Sequence, residues 1–279
     1  MRALAGFGSR DPRHPGHARA IAYIKDQLEA IPNVTVREHR AVYQGIPLTN
    51  ILANLEPASS SDTQELDWVI LAAHYDSIAV RTPGWRPGSD PAPGADDNAT
   101  GTAALLEYAR VLSSSNACLQ GRLYLAFFDG EELFFKGSAA YLQTESGAGP
   151  RPFKAVMNID MVGFNPVADR LDLIWYGAQS DVLRDHVKAV NERYAVGVQL
   201  VDVFANDPSR YILDTAPFGM AGIPSVTLTE RYGPPDATYP GNSFFHTVND
   251  TSDKVTNPGL WLKAAKLTLA TALELARLE

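Results

Sequence analysis

The side chains able to do chemistry in this sequence gather where short apolar runs end. His74, Tyr75 and Asp76 follow VILAA (69–73), Asp129-Gly130-Glu131-Glu132 follows LYLAFF (123–128), and Asp160 follows AVMNI (155–159). Asp96-Asp97 precede a helix-like stretch, and His246 sits in a Phe-His-Thr loop. Singly, each has a plain reading. Asp97 and Asn98 would cap a helix, Glu131 and Glu132 would form an acidic first turn, and His74 and His246 would be hydrogen-bonded structural histidines. As a set they ask for more. Carboxylates buried side by side cost heavily unless a cation neutralises them. Oxygen-rich ligands with one imidazole per ion suit zinc, and also manganese or cobalt. The donors suffice for two ions, with Asp96 bridging, His74 and Asp160 on one, and Glu132 and His246 on the other. Glu131, beside a ligand, is left as general base for the attacking water. The other histidines, His14, His17, His39 and His186, stand in polar or helical contexts and read as structural.

These groups need a frame that brings distant segments to one face. From His17 to Ile31 the apolar residues Ala20, Ile21, Ile24, Leu28 and Ile31 follow a helical spacing. Val34 to Tyr43 alternates, Gln44-Gly45-Ile46-Pro47 reads as a turn, and Leu48 to Leu55 is a second β-like run. Asp67 to Ala73 reads as a strand buried on both faces. A Pro/Gly-rich loop (81–94) then leads to a helix from Asn98 to Leu112, with Ala103, Leu106, Ala109, Arg110 and Leu112 on its repeat. Downstream, strands over 122–128, 154–159, 171–176, 198–204 and 223–228 alternate with helices over 138–142 and 181–194. A closing helix, Leu260 to Leu278, carries Leu262, Leu269, Leu273 and Ala276 on its apolar face. The alternation predicts one three-layer α/β/α domain spanning 1–279 around a mixed, mostly parallel sheet. In open sheets of this kind ligands bind beyond the carboxyl ends of the strands, where the acids and histidines lie.

Composition narrows the function classes. With 45% hydrophobic residues the chain has material for a large core. Its 24 Lys+Arg against 32 Asp+Glu leave a charge of −8 with no basic block, which argues against nucleic acid as a partner. No apolar run reaches the ~20 residues of a membrane helix, so no membrane partner is expected. Residues 1–10 lack the apolar core of a secretory signal, leaving either a cytoplasmic protein or a mature exported form. The one cysteine, Cys118, excludes an internal disulfide.

The motifs LAAHYDS (71–77), PGADDNATG (93–101), FFDGEE with KGS (127–132, 136–138), NIDMVG (158–163), PF…GIPS (217–225) and FHTVND (245–250) resemble one zinc metallopeptidase family. It contains the bacterial leucyl aminopeptidases with two co-catalytic zincs, the glutamate carboxypeptidases and the glutaminyl cyclases. TNILANLEP (49–57) matches too, so the resemblance spans most of the chain in order. It implies a zinc-exopeptidase-like fold and two zinc ions on His74, Asp96, Glu132, Asp160 and His246. It further implies Glu131 as base, Asp76 as the carboxylate orienting the histidine ligand, and a non-proline cis peptide at Asp96–Asp97. The implied reaction is hydrolysis of an N-terminal peptide bond by a hydroxide between the ions, on peptides with a free N-terminus. Relatives are commonly exported, so the resemblance favours a secreted or periplasmic location.

The departures from the family pattern fall at the site. Phe134 replaces a glycine in EE-x-G-L-x-GS, Leu213-Asp214-Thr215 replaces Ser-Asp-His, and Phe245 replaces a tyrosine that would stabilise the oxyanion. Tyr211 and Tyr232 are the nearest substitutes for that tyrosine. Phe134, Phe135, Phe218 and Phe244 are either an apolar pocket for the first side chain or plain core. Rival readings are a single-zinc glutaminyl cyclase, a dipeptidase or carboxypeptidase of the same family, and a binding module that lost catalysis.

Overall fold

The computed structural model describes residues 1–55, 68–114, 122–147, 153–205, 213–230 and 235–276. A single helical turn, α1 (Arg2–Ala5), precedes α2 (Pro15–Glu29). Helix α2 starts where His14 Nδ1 accepts the Gly16 N–H at 2.9 Å and Pro15 supplies a ready-made helical φ. Strands β1 (Val34–Tyr43) and β2 (Ile46–Leu55) form a hairpin. Its turn is shorter than the sequence suggests. Gln44 and Gly45 both adopt positive φ (49° and 80°), the pair that matches strand twist, and Ile46 and Pro47 already pair with Tyr43 and Val42. Proline is tolerated there because β2 meets its other neighbour only from Ile51 onward.

The chain then alternates through β3 (Trp68–His74), α3 (Ala99–Ser114), β4 (Arg122–Phe128), α4 (Lys136–Gly147), β5 (Phe153–Asp160), β6 (Arg170–Trp175), α5 (Asp181–Arg193), β7 (Gln199–Phe204), α6 (Ala216–Met220), β8 (Ser225–Thr229) and α7 (Pro258–Leu275). The eight strands form one sheet in the order β1-β2-β4-β3-β5-β8-β6-β7. The four central strands β4, β3, β5 and β8 run parallel, while β1, β2 and β6 contribute the antiparallel pairings. Strand periodicity sorts the core into two layers. Val69, Leu71 and Ala73 point to the face covered by α2, α3, α5 and α7; Trp68, Ile70 and Ala72 point to the face covered by α4 and α6. The expected α/β/α sandwich with a mixed sheet is what the chain builds.

Two helix faces differ from expectation. On α7 the core side runs through Leu260, Ala264, Leu267 and Thr271, whereas Leu262 is exposed. On α3 Arg110 is a surface residue paired with Glu107, and Leu105 and Tyr108 are buried instead. Asp67, Cys118, Tyr211, Tyr232 and Leu278 lie outside the described residues.

What positions the strand ends is a buried cation near the start of the chain. The Arg10 side chain is fully buried; its Nε donates to Tyr75 O at 2.5 Å, Nη1 to Pro93 O at 2.5 Å and Nη2 to Gly94 O at 2.8 Å. It thereby ties the segment leaving β3 to the loop entering α3. Burial pulls its pKa down to about 10, against the pull of Asp250, Asp97 and Asp76, so it remains charged at neutral pH. Replacing Arg10 with Met would take the guanidinium from the Tyr75 and Pro93 carbonyls, at about 1–3 kcal/mol each, while Gly94 O keeps the Ala99 N–H at 3.2 Å. Urea unfolding of Arg10→Met should therefore show a loss of at least about 2 kcal/mol relative to wild type.

Candidate metal centre

The parallel strands deliver their chemistry to one end of the sheet. His74 is the last residue of β3 and Asp160 the last of β5; the turn after β4 carries Glu131 and Glu132. His74 Nε2 lies 3.3 Å from Asp97 Oδ1 and 3.4 Å from Asp160 Oδ1. The other oxygen of Asp97 lies 3.1 Å from His246 Nε2, which is 2.8 Å from Glu132 Oε2. Two groups of ligand atoms result, His74/Asp97/Asp160 and Asp97/Glu132/His246, and they share Asp97. His74 with Glu131 and Glu132 forms a third compact set.

The shared residue is a correction to the sequence reading, in which Asp96 bridges. Asp96 points away: its Oδ1 accepts the Gly163 N–H at 2.9 Å and its Oδ2 accepts from Asn242 Nδ2 at 3.0 Å. The Asp250 carboxylate accepts both the Asp96 and Asp97 N–H groups (3.0 and 3.1 Å), fixing which side chain faces inward. The cis peptide is correspondingly Asp97–Asn98, one bond beyond the one expected. Asn98 also serves as a helix cap, its Oδ1 accepting the Gly101 N–H at 2.8 Å. Gly101 has to be glycine, since a Cβ there would stand 2.3 Å from Ile159 O.

Asp76 sits where an orienting carboxylate belongs. Its Oδ1 is 3.4 Å from His74 Nδ1, and its two oxygens accept the Glu131 and Glu132 N–H groups, each at 3.2 Å. One carboxylate thus sets both a histidine and the acidic turn. Behind it His17 pairs with Asp129, whose Oδ2 also accepts the Thr49 N–H. His39 bonds Thr144 and Asn50, and His186 lies against Glu274. The structural reading of these histidines and of His14 holds.

The electrostatics are those of a crowded acid cluster. Burial pushes Glu131 well above the usual carboxylate range and takes Glu132 to about 8, in each case with a neighbouring carboxylate adding to the shift. Burial also raises Asp160, against the pull of His74. Burial would lower His246, but Glu132 and Asp97 outweigh it and hold the imidazole up to about 11. Burial would raise Asp97, yet the two histidines pull it below its ordinary range. Glu132 Oε1 and Asp160 Oδ1 are buried without a hydrogen-bond donor. These inward-facing oxygens, two imidazoles and a shared carboxylate fit a pair of zinc ions.

Two cavities flank the cluster. One, of about 380 Å³, is lined by Asp97, Glu131, Glu132, Asp160 and His246 together with Ile78, Val80, Phe134, Leu213 and Phe245. The other, of about 530 Å³, is lined by Met161, Tyr239, Phe245 and Pro240, with Arg81 and Glu230. Of the four aromatics expected to form a pocket only Phe134 lines one of these. Phe218 is in the core against Phe128 and Phe153, Phe244 packs on Phe164, and Phe135 packs beside Ile174 and Tyr176. Phe245, at the position of the family's tyrosine, stacks on His246 with ring centroids 3.7 Å apart.

An α/β/α sandwich with paired acid and histidine clusters at its parallel strand ends defines the zinc-exopeptidase class of fold. Within it the chain belongs to Peptidase family M28, which residues 50–272 match. Leucine aminopeptidase 1 of Coccidioides posadasii is 30% identical over 215 residues, covering 75% of this chain and 52% of that protein. The chain therefore spans about half the length of the curated relative it matches. Among solved structures, the LapA aminopeptidase of Legionella pneumophila superposes with a TM-score of 0.79 at 19% identity, over 99% of this chain and 69% of that one. The glutaminyl cyclase of Porphyromonas gingivalis gives 0.75 at 20% identity, over 98% and 94%. At these identities the two structures speak for the fold alone.

Two expectations follow. Asp97→Asn should lose zinc from both positions in metal analysis, whereas Asp96→Asn should retain both ions. Because Glu132 and His246 hold protons at neutral pH that ligands must give up, zinc binding to the metal-free chain should release protons and tighten as pH rises from 6 to 8. Calorimetry in buffers of different ionisation enthalpy measures that release.

Proposed function

We propose that the chain is a two-zinc aminopeptidase that hydrolyses the N-terminal peptide bond of peptides with a free amino end. The observation that carries this reading is the Asp97 carboxylate, one oxygen toward His74 and the other toward His246, with Glu131 on the adjacent turn. His74, Asp97 and Asp160 would hold one ion and Asp97, Glu132 and His246 the other. When bound, such a pair supplies a Lewis acid for the scissile carbonyl and lowers the pKa of water to near neutrality.

The chain's own residues do the rest. Glu131 is 8% exposed, close enough to solvent to meet substrate, and burial raises its pKa above the usual carboxylate range, which makes its carboxylate form a stronger base. It takes the proton of the attacking water and returns it to the leaving amine, which restores the carboxylate for the next cycle. Asp76 holds the Glu131 backbone, so the base does not wander from His74. Of the four carboxylates lining the smaller cavity only Glu131 is not used to hold an ion, and among the described residues no lysine or arginine is there to pair a substrate carboxylate, which supports an amine at the bound end. The larger one offers Met161, Tyr239 and Phe245 to an apolar first side chain, in keeping with the leucine named for the fungal relative. The rival cyclase reading implies a single zinc; two ligand groups sharing one carboxylate favour hydrolysis.

A panel of leucine amide, N-acetyl-leucine amide and a glutaminyl peptide tests this. The first should be cleaved, the second spared, and the third should yield free glutamine rather than a cyclised end. Glu131→Gln should cut kcat by about 10²–10⁴-fold while zinc content stays at two per chain. Turnover unaffected in that variant would remove Glu131 from the mechanism.

A further inference from the structure

The turn that carries Glu131 and Glu132 does something costly three residues later. Phe134 and Phe135 both adopt left-handed backbone, with φ of 64° and 48°. Bulky residues avoid that region, and glycine occupies it without strain. The turn holds them there through Phe135 N–H to Glu131 O at 2.7 Å and Lys136 N–H to Gly130 O at 2.9 Å. Phe135 recovers the cost by packing against the buried cluster of Ile174, Tyr176, Ala205, Leu213 and Ala216. Phe134 does not. It is 59% exposed, stacks on no other described ring, and projects at the lip of the cavity that contains the acid cluster. The same cavity is lined by Val80, 57% exposed, and by Ile78, Met161, Leu213 and Phe245 as further apolar surfaces. Strain that gives the fold no packing in return is found where function requires it.

The direction of the reaction says which part of a peptide would lie there. A base that returns its proton to the leaving nitrogen must have that nitrogen within hydrogen-bond reach. Phe134 is on the same short turn as Glu131, so it stands beside the leaving residue and not beside the residue whose amine is free. We propose that Phe134 is a specificity-determining residue for the leaving side of the bond, its ring with Val80 forming an apolar grip on the side chain that follows the scissile peptide. This rests on the aminopeptidase reading and adds the preference for an apolar second residue.

The test compares kcat/KM for leucyl-phenylalanine and for leucine amide, whose leaving group is ammonia, in the zinc-loaded wild type, Phe134→Gly and Phe134→Tyr. The ratio of the two should fall at least about fivefold in Phe134→Gly, mainly through the KM of the dipeptide, since apolar side-chain contacts discriminate on this scale. Phe134→Tyr, which restores the ring, should return the ratio to within about twofold of wild type. Thermal unfolding provides the independent readout: relief of the left-handed strain should leave the Tm of Phe134→Gly at or above that of wild type. A ratio unmoved by Phe134→Gly overturns the inference alone, as does a fall in its Tm, which would make the ring a packing element. A zinc-loaded wild type that cleaves neither substrate removes the aminopeptidase reading and this inference with it.

Discussion

A carboxylate with a different histidine at each oxygen, inside a ring of further acids, is an arrangement only positive charge can hold together. Asp97 is that group, and Asp160, Glu131 and Glu132 surround it at depths where ionised carboxylates are strongly disfavoured. Without ions the cluster responds in the one way open to it, by keeping protons: Glu132 rises to about 8 and His246 to about 11. Those protons occupy the electrostatic role of a metal pair. The free energy that the fold gives up in assembling the cluster is returned when cations enter, so metal binding and stability are one quantity here.

The sheet makes that assembly possible by topology. Because β4, β3, β5 and β8 are parallel neighbours, their carboxyl ends arrive at one edge as a row, and the segments that follow need only short excursions to meet. The remaining freedom is removed from outside the cluster. Asp250 fixes the Asp96–Asp97 backbone, Asp76 fixes the Glu131–Glu132 backbone, and Arg10 fixes the loops on either side. Each of these partners is hydrogen-bonded to main chain rather than to the ligating atoms, which leaves the inward oxygens free to meet ions.

Much of this was legible in the residues. Continuous apolar runs ending in His74, Asp160 and the Asp129–Glu132 turn announce buried parallel strands with polar tips, and four of the five expected ligands converge. Asp96 failed for a physical reason. Adjacent acids in a loop have no periodicity to say which faces inward; the choice is made by Gly163, Asn242 and Asp250, 67, 146 and 154 residues away from Asp96 in the chain. Leu262 failed because α7 buries small and polar residues, Ala264 and Thr271, against the sheet, so side-chain size misplaces the face. Arg10 gives no local sign of burial, since the carbonyls it bonds belong to Tyr75, Pro93 and Gly94. Aromatic identity likewise cannot separate Phe218, in the core, from Phe134, on the rim.

The charge pattern argues which end of a peptide this centre would accept. A carboxypeptidase must receive an anion beside its metals and needs a fixed cation to do so. Arg81 is the cation nearest that role, lining the larger cavity, yet its Nη1 already donates to Phe245 O at 3.1 Å and its guanidinium lies over the Phe245 ring. Among the described residues, the cavity holding the ligands contains carboxylates alone as charged groups besides His246, on a chain whose net charge is −8. Two dications held by Asp97, Glu132 and Asp160 would offset the charge of those acids, so what distinguishes the described lining is that it offers a substrate carboxylate no lysine or arginine to pair with. That missing partner, and not the acids that would hold the ions, is the feature of the described lining that supports the proposed preference for the amino end.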